Sequence, residues 1–299
     1  MLIDRNLTRR TFLKRTAAGT AALTAGLSAV SAPAQDAPKP NWEMKLSAST
    51  ICFTKLPIEK AVEQIASIGF DGIDIWSAHA GCPHLDDALD RLGPDGVKKL
   101  LAAADLDLYS FSVYKGGYRQ YAELLGGCGG GVAVRGSSRP VPSDQLTASM
   151  KAFVESLKPD LELCEKYDSY LAIENHGHAL LDSADSFKAF VDINTNPRLG
   201  IALAPYHLQR IGEDVADVIR SCGDQLLYFY AWQHAPGTAQ LPGVGPVDFK
   251  PWLAALADID YKWYVNPFMH HEPEPDVMAK ELARSREYLL KCYAAVVGS

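Results

Sequence analysis

The chain holds eight histidines, and each stands a few residues beyond a short apolar run. His79 and His84 follow Gly72–Trp76, His176 and His178 follow Tyr170–Glu174, and His207 follows Leu199–Ala204; His234 follows Leu226–Ala231, and His270 and His271 follow Lys262–Asn266. Glu174 closes the run Tyr170-Leu171-Ala172-Ile173, a setting in which a carboxylate needs a cation or a hydrogen-bond donor. Imidazole titrates close to neutrality and binds borderline divalent ions. A carboxylate among imidazoles therefore suits either proton transfer or a divalent ion, Mn, Co, Zn or Fe in preference to Ca. Histidine is also an ordinary loop residue, so the pattern has weight only if these loops share one place in the fold.

The spacing of apolar residues predicts eight strand–helix units. Strand Leu46–Phe53 leads to a helix from Pro57 to Gly69, with Pro at its start, Gly at its stop and apolar residues at 58, 61, 62, 65 and 68. Strand Gly72–Trp76 precedes helix Pro94–Ala104, Leu106–Val113 precedes Tyr118–Leu125, and Val132–Val134 precedes one long helix within Ser143–Tyr167, which Pro159 would kink. Four further pairs follow: Tyr170–Glu174 with Ala184–Val191, Leu199–Ala204 with Glu213–Cys222, Leu226–Ala231 with Asp248–Leu256, and Lys262–Asn266 with Asp276–Val296. Apolar strands each followed by a helix require a parallel α/β sheet covered outside, and eight units match a closed (β/α)8 TIM barrel over residues 45–299. A doubly wound open sheet is the alternative; it would want a Gly-rich phosphate turn where Thr54-Lys55-Leu56-Pro57 stands. In a barrel the loops after the strands meet at one mouth, and the loops of the opposite face carry no histidine.

The ends and the charge narrow the setting. Leu7-Thr8-Arg9-Arg10-Thr11-Phe12-Leu13-Lys14, a weakly apolar run from Thr16 to Val30 and the small residues Ala32-Pro33-Ala34 read as a twin-arginine export signal over residues 1–34. The run is too short and too poor in Leu and Ile for a spanning helix, so no stable membrane insertion is expected. Residues 35–44 form a short mature tail, and the expected location is the periplasm. Removing residues 1–34 takes away five basic residues (Arg5, Arg9, Arg10, Lys14, Arg15) and Asp4, leaving 24 Lys and Arg against 35 Asp and Glu, a net charge of −11. That balance argues against nucleic acid and anionic membrane and leaves small molecules as partners. The six cysteines include no CxxC pair. A protein exported after folding needs a reduced, self-sufficient core, in which Cys52 and Cys164 serve as small apolar residues of a strand and a helix.

Several stretches carry a family likeness: Gly69-Phe70-Asp71-Gly72-Ile73-Asp74-Ile75-Trp76, Gly81-Cys82-Pro83-His84-Leu85, Phe111-Ser112-Val113-Tyr114, Gly130-Gly131-Val132-Ala133-Val134-Arg135-Gly136-Ser137, Ile173-Glu174-Asn175-His176-Gly177, Ala204-Pro205-Tyr206-His207-Leu208, Tyr230-Ala231-Trp232-Gln233-His234 and Phe268-Met269-His270. With these the chain resembles the xylose isomerase-like barrel superfamily of sugar phosphate isomerases and epimerases, and within it a subgroup of exported bacterial proteins. The resemblance implies one divalent metal held by Glu, Asp, His and Glu from strands five to eight, the two glutamates moving a proton beside a carbonyl. Of that set only Glu174 matches. Ala204 stands in place of the Asp, Tyr230 near the place of the His, and Asn266 in place of the second Glu.

The expected site follows from both lines. Glu174, His207 and His234 are the candidate metal ligands, with Glu174 also the base, His270 an acid or base, and Arg135, directly after strand four, a group for a carboxylate or polarised oxygen. Trp76, Tyr114, Tyr206 and Trp232 offer flat faces to a carbohydrate, and Lys115, Asn175, His176, Gln233 and Asn266 offer hydrogen bonds. The expected activity is a metal-assisted sugar isomerase or epimerase. Loss of the second carboxylate leaves open a one-base elimination or hydration of 3-keto-glycosides, and a non-catalytic carbohydrate-binding protein on the same scaffold.

Overall fold

The structure, a computed structural model, describes residues 42–298. The expected export signal and the tail as far as residue 41 lie outside the described residues. Eight strands run β1 (Lys45–Ser49), β2 (Gly72–Trp76), β3 (Asp107–Ser112), β4 (Gly131–Gly136), β5 (Ser169–Glu174), β6 (Leu199–Leu203), β7 (Leu226–Ala231) and β8 (Tyr264–Pro267). Each pairs in parallel with its neighbours in sequence, and β1 pairs with β8, so the sheet closes into a barrel. Closure removes the doubly wound alternative. The helices are α1 (Ile58–Ile68), α2 (His84–Asp87), α3 (Gly93–Ala104), α4 (Tyr118–Gly127), α5 (Leu146–Ser156), α6 (Lys158–Lys166), α7 (Ala184–Ile193), α8 (Pro205–Ile211), α9 (Val215–Cys222), α10 (Lys250–Asp258) and α11 (Pro275–Gly298).

Local chemistry explains most boundaries. In α1 the buried Ile58, Ala61, Val62 and Ile65 form one apolar stripe, and Gly69 ends the helix in the left-handed region at φ 89°. Asp214 caps α9 by accepting from the backbone N–H groups of Ala216 and Asp217. Three departures from expectation have local causes. The long helix is two, because Pro159 cannot continue the backbone bonding of α5 and sits instead in the first turn of α6. Strand β1 stops at Ser49, and Thr50–Phe53, with Cys52, coil into a 3-10 turn. Helix α8 was not expected at all, although Pro205 at its first position is a start signal. The barrel also reaches further back than residue 45. Trp42 is buried, its Nε1 donating to the Tyr261 carbonyl at 2.7 Å and its ring edge-on to Tyr293.

Strand side chains alternate between two packing layers. Outward positions such as Ile73, Ile75, Phe111, Ala133, Leu171, Ile173, Ile201, Phe229 and Val265 join the helices in the main core. Inward positions, among them Trp76, Val132, Val134, Ala172, Ala202, Tyr228 and Tyr230, fill the barrel. Each large apolar side chain withdrawn from water contributes roughly 1.5–3 kcal/mol, so the outer layer dominates stability and frees part of the interior for polar residues. The six cysteines are free, five of them buried. No helix among the described residues is long and apolar enough to cross a membrane.

Candidate active site

Inward alternation along β5 places Glu174 in the barrel mouth, two residues beyond Ala172. Its Oε2 accepts a 2.6 Å hydrogen bond from the Tyr114 hydroxyl. That hydroxyl lies 3.0 Å from the Tyr230 hydroxyl; since Tyr114 gives its proton to Glu174, Tyr230 donates to Tyr114. Burial raises the Glu174 carboxyl above the usual carboxylate range, and the Tyr114 bond and the nearby His176 and His270 oppose that rise. Glu174 borders a cavity of about 310 Å³ walled by Trp76, His79, Tyr114, Gly136, Ser137, His176, Ala179, His207, Trp232 and His270.

The aromatic wall is built from strand ends two, seven and eight. Trp76 stacks on Phe268 with ring centroids 5.5 Å apart, Trp232 meets Phe268 edge-on at 5.1 Å, and His270 stands edge-on to both tryptophans and to Phe268. Gln240 bolts this wall together. Its Oε1 accepts from Trp232 Nε1 at 2.8 Å and from the His270 backbone N–H, while its Nε2 donates to the His270 carbonyl.

His207, in the first turn of α8, is 5% exposed, and neither ring nitrogen has a hydrogen-bond partner. Burial, then the charges of His176, Arg210, His270 and His234, lower its pKa to about 3. The ring is therefore neutral at physiological pH, with one N–H and one lone pair. His176 lies against it, centroids 4.2 Å apart.

Below the mouth is a polar well. Asp74, inward on β2, accepts from Ser49 at 2.8 Å, Trp76 Nε1 at 2.6 Å, Ser110 at 2.9 Å, Ser112 at 2.9 Å and Tyr228 at 3.2 Å. Burial outweighs these donors and pushes its carboxyl up to about 6. Beside it the Asn266 amide donates to Ser47 and accepts from Ser49.

Of the expected site residues, Glu174, Trp76, Tyr114, His176, His207, Trp232 and His270 meet around one cavity, and Tyr206 stacks behind Trp232 at 4.3 Å. The others do not join them. Arg135 lies within β4, not after it, in register with the outward Ile173; it faces the helices and pairs with Asp160. Lys115 is exposed, its backbone N–H bonded to Ser77. Asn175 ties the end of β5 to Ala204 through its amide, donating at 3.2 Å and accepting at 2.6 Å. Gln233 is wholly buried, holding its own loop through Leu241 and Val247. Asn266 belongs to the well. His234 is exposed, meets the Tyr206 ring edge-on and does not line the cavity.

The remaining histidines have ordinary explanations. His84 is buried between the Leu56 carbonyl and the Cys82 thiol. His178 and His271 occupy exposed turns at φ 63° and 64°, a region histidine tolerates better than most residues. Two groups escaped the sequence reading. His79 lines the cavity, and nothing in its residue type or spacing sets it apart from the other histidines of the mouth loops. Glu272, with its Oε1 3.8 Å from His270 Nδ1 and without a hydrogen-bond partner, stands behind that imidazole; a carboxylate two residues from a mouth histidine was the available signal.

A family model for the xylose isomerase-like TIM barrel matches residues 62–288, and the chain belongs to that family. No curated protein matches it significantly. Among solved structures it is similar to the E. coli 3-keto-D-glucoside 4-epimerase, at 16% identity and a TM-score of 0.63 over 82% of this chain and 100% of that one. It is also similar to an IolI protein with a bound zinc atom, at 14% identity and a TM-score of 0.66 over 85% of this chain and 99% of that one. A xylose isomerase-like TIM barrel/4-hydroxyphenylpyruvate dioxygenase fusion protein matches at 17% identity and a TM-score of 0.64 over 85% of this chain, which spans only 43% of that protein. At such identities the likeness is one of fold.

The zinc in one of these relatives makes the donor set here worth testing against a metal. Glu174, His207 and His234 do not converge, because His234 is outside the cavity. Among the described residues no group of three or more His, Cys, Asp or Glu is disposed to hold an ion. Ala204 offers a methyl group, the Asn266 amide is spent on two serines, and Tyr230 is bonded to Tyr114. These residues do not fit a divalent ion.

Proposed function

We propose that this chain is a sugar isomerase- or epimerase-like enzyme that removes a proton from the carbon beside the carbonyl of an unphosphorylated sugar. The observation that carries this reading is Glu174, a buried carboxylate with a raised pKa at the edge of a cavity large enough for a monosaccharide unit. Glu174 is the base. Trp76 and Trp232 give the cavity flat faces for the C–H surface of a sugar ring, and the imidazoles of His79, His176 and His270 exchange hydrogen bonds with hydroxyls. His270, with Glu272 behind it, is placed to return a proton. No Lys or Arg among the described residues lines the cavity, which favours a neutral substrate over a sugar phosphate. The twin-arginine pattern at residues 9 and 10 favours the same choice, since a protein exported to the periplasm would meet free sugars.

A second reading rests on Glu174 being, among the described residues, the only carboxylate on the cavity wall. Elimination from a 3-keto-glycoside needs one base and a stabilised enolate, whereas inversion at carbon by two bases needs a second group on the opposite face. Incubation with a 3-keto-glucoside separates the outcomes. Appearance of an epimer or ketose isomer supports the first reading, and an enone chromophore with aglycone release supports the second. Sugar binding without any product would mark a binding protein.

A further inference from the structure

We infer that Glu272 is the positioning residue of His270: its carboxylate draws the imidazole proton to Nδ1 and so keeps the Nε2 lone pair for a substrate hydroxyl. The part played by the hydroxyl rests on the proposed function, whereas the choice of protonated nitrogen does not.

Three observations carry it. The first is the pairing of the two groups. Glu272 Oε1 lies 3.8 Å from His270 Nδ1, an ion-pair separation about 1 Å longer than a hydrogen bond. Among the described residues this imidazole is the only basic side chain within ion-pair distance of the Glu272 carboxylate. The Glu272 side chain is 14% exposed and its Oε1 is enclosed, with no hydrogen bond from another group of the chain, so a donor turned toward it is favoured. The second is the fixing of the imidazole. Gln240 accepts from the His270 backbone N–H and donates to its carbonyl, while Trp76, Trp232 and Phe268 stand edge-on to the ring. The third is access. His270 lines the cavity, its side chain is 35% exposed and, unlike His207, it has no enclosed ring nitrogen. With Nδ1 toward Glu272, Nε2 is the atom left for a ligand.

A neutral imidazole protonated on Nδ1 is an acceptor at Nε2. On a sugar with a hydroxyl beside its carbonyl, the Glu174 carboxylate takes the proton from the hydroxyl-bearing carbon. The C–H electron pair becomes the C=C bond of an enediolate, and the carbonyl π pair moves to oxygen. Nε2 takes the hydroxyl proton and gives it to the former carbonyl oxygen. The other oxygen then re-forms a carbonyl, and the C=C pair takes the proton back from Glu174 at the neighbouring carbon. Both groups end as they began. Glu272 exchanges no proton; its charge holds the imidazolium that exists between the two transfers.

The test uses the full chain with 15N-labelled histidine at a pH of about 8.5, above the ordinary imidazole range. Long-range 1H–15N NMR, with His270 assigned by its loss in His270→Gln, is expected to show the Nδ1–H tautomer in the parent. Glu272→Gln should retain it, because the amide oxygen still accepts, and Glu272→Leu should shift it to the Nε2–H form that free histidine prefers. With methyl 3-keto-glucoside as probe, product formation should fall on the order of 10²-fold in His270→Gln. It should fall by about 10-fold in Glu272→Leu and less in Glu272→Gln, while deuterium entry at carbon, the work of Glu174, changes much less. Adding Glu272→Leu to His270→Gln should cost nothing further, since Glu272 acts only through His270. An Nε2–H tautomer in the parent, the same tautomer in parent and Glu272→Leu, or losses that add in full in the double variant would overturn the assignment. If the parent neither exchanges nor converts the keto-sugar, the proposed function falls, and the tautomer measurement decides the role of Glu272 alone.

Discussion

Asp74 and Glu174 are both carboxylates on inward strand positions, both buried, and both raised above the usual carboxylate range. Their surroundings separate them. Asp74 lies in the barrel well with five donors aimed at it from β1, β2, β3 and β7, so it has nothing left to offer a ligand. Glu174 has the Tyr114 hydroxyl on one oxygen and a cavity beside it. A buried charge saturated with donors organises structure, whereas one left under-satisfied beside a cavity is poised for chemistry. Burial and a shifted pKa alone would not have told the two apart.

Substitutions at the two carboxylates should therefore break different things. Glu174→Gln is expected to lower turnover by about 10²–10⁴-fold, the range for loss of a general base, while thermal melting and sugar binding by tryptophan fluorescence stay near the parent's. A large fall in melting temperature without a selective loss of turnover would reverse the assignment. Asp74→Leu should do the opposite. It strands several buried donors at roughly 1–3 kcal/mol each, so denaturant unfolding should show a loss of several kcal/mol.

The titration of Asp74 sharpens the comparison further. Its folded pKa of about 6 exceeds the ordinary 3.8, so the folded state binds the proton more tightly than the unfolded chain. Stability from this group is then greatest below pH 4 and declines as pH rises to 6, by about 3 kcal/mol. Asp74→Asn removes that slope, and the difference between parent and variant unfolding curves across pH 4–6 isolates it. A flat difference would mean that the donors hold the carboxyl at its ordinary value. For Glu174 the matching expectation is kinetic: its raised pKa makes the rate fall, as pH is lowered, at a higher pH than an exposed glutamate would require. The smallest effect is expected from Arg135→Ala. Its partly exposed pair with Asp160 should contribute less than about 1 kcal/mol, and the turnover of Arg135→Ala should match the parent's because the side chain faces away from the mouth.

Arg135 and Glu174 also show what the sequence could and could not reveal. Both look like charged residues at the end of an apolar strand, and in the barrel they lie one register step apart, since Arg135 pairs with Ile173 and Gly136 with Glu174. The fold was legible because apolar periodicity and strand–helix alternation are properties of the chain itself. The inward or outward sense of a residue depends on the strand's exact ends, and β4 runs two residues beyond Val134, which turned Arg135 from a mouth residue into an outward one. Glu174 was legible because it ends a strand whose alternation is clean. His234 differs for another reason: whether a loop residue turns into a cavity depends on tertiary contacts, and its ring packs edge-on against Tyr206 without lining the cavity. Asn175 and Gln233 are polar residues at strand ends whose side chains backbone groups of neighbouring loops already claim, a partnering that residue type and spacing do not show.

The central claim is that the mouth carboxylate, not the well carboxylate, takes the proton. NMR observation of solvent deuterium entering the carbon beside the carbonyl of a 3-keto-glucoside tests it directly, with the parent, Glu174→Gln and Asp74→Asn compared at equal folded concentration. The account predicts exchange in the parent and in Asp74→Asn and none above background in Glu174→Gln. Exchange persisting in Glu174→Gln at the parent's rate would contradict it.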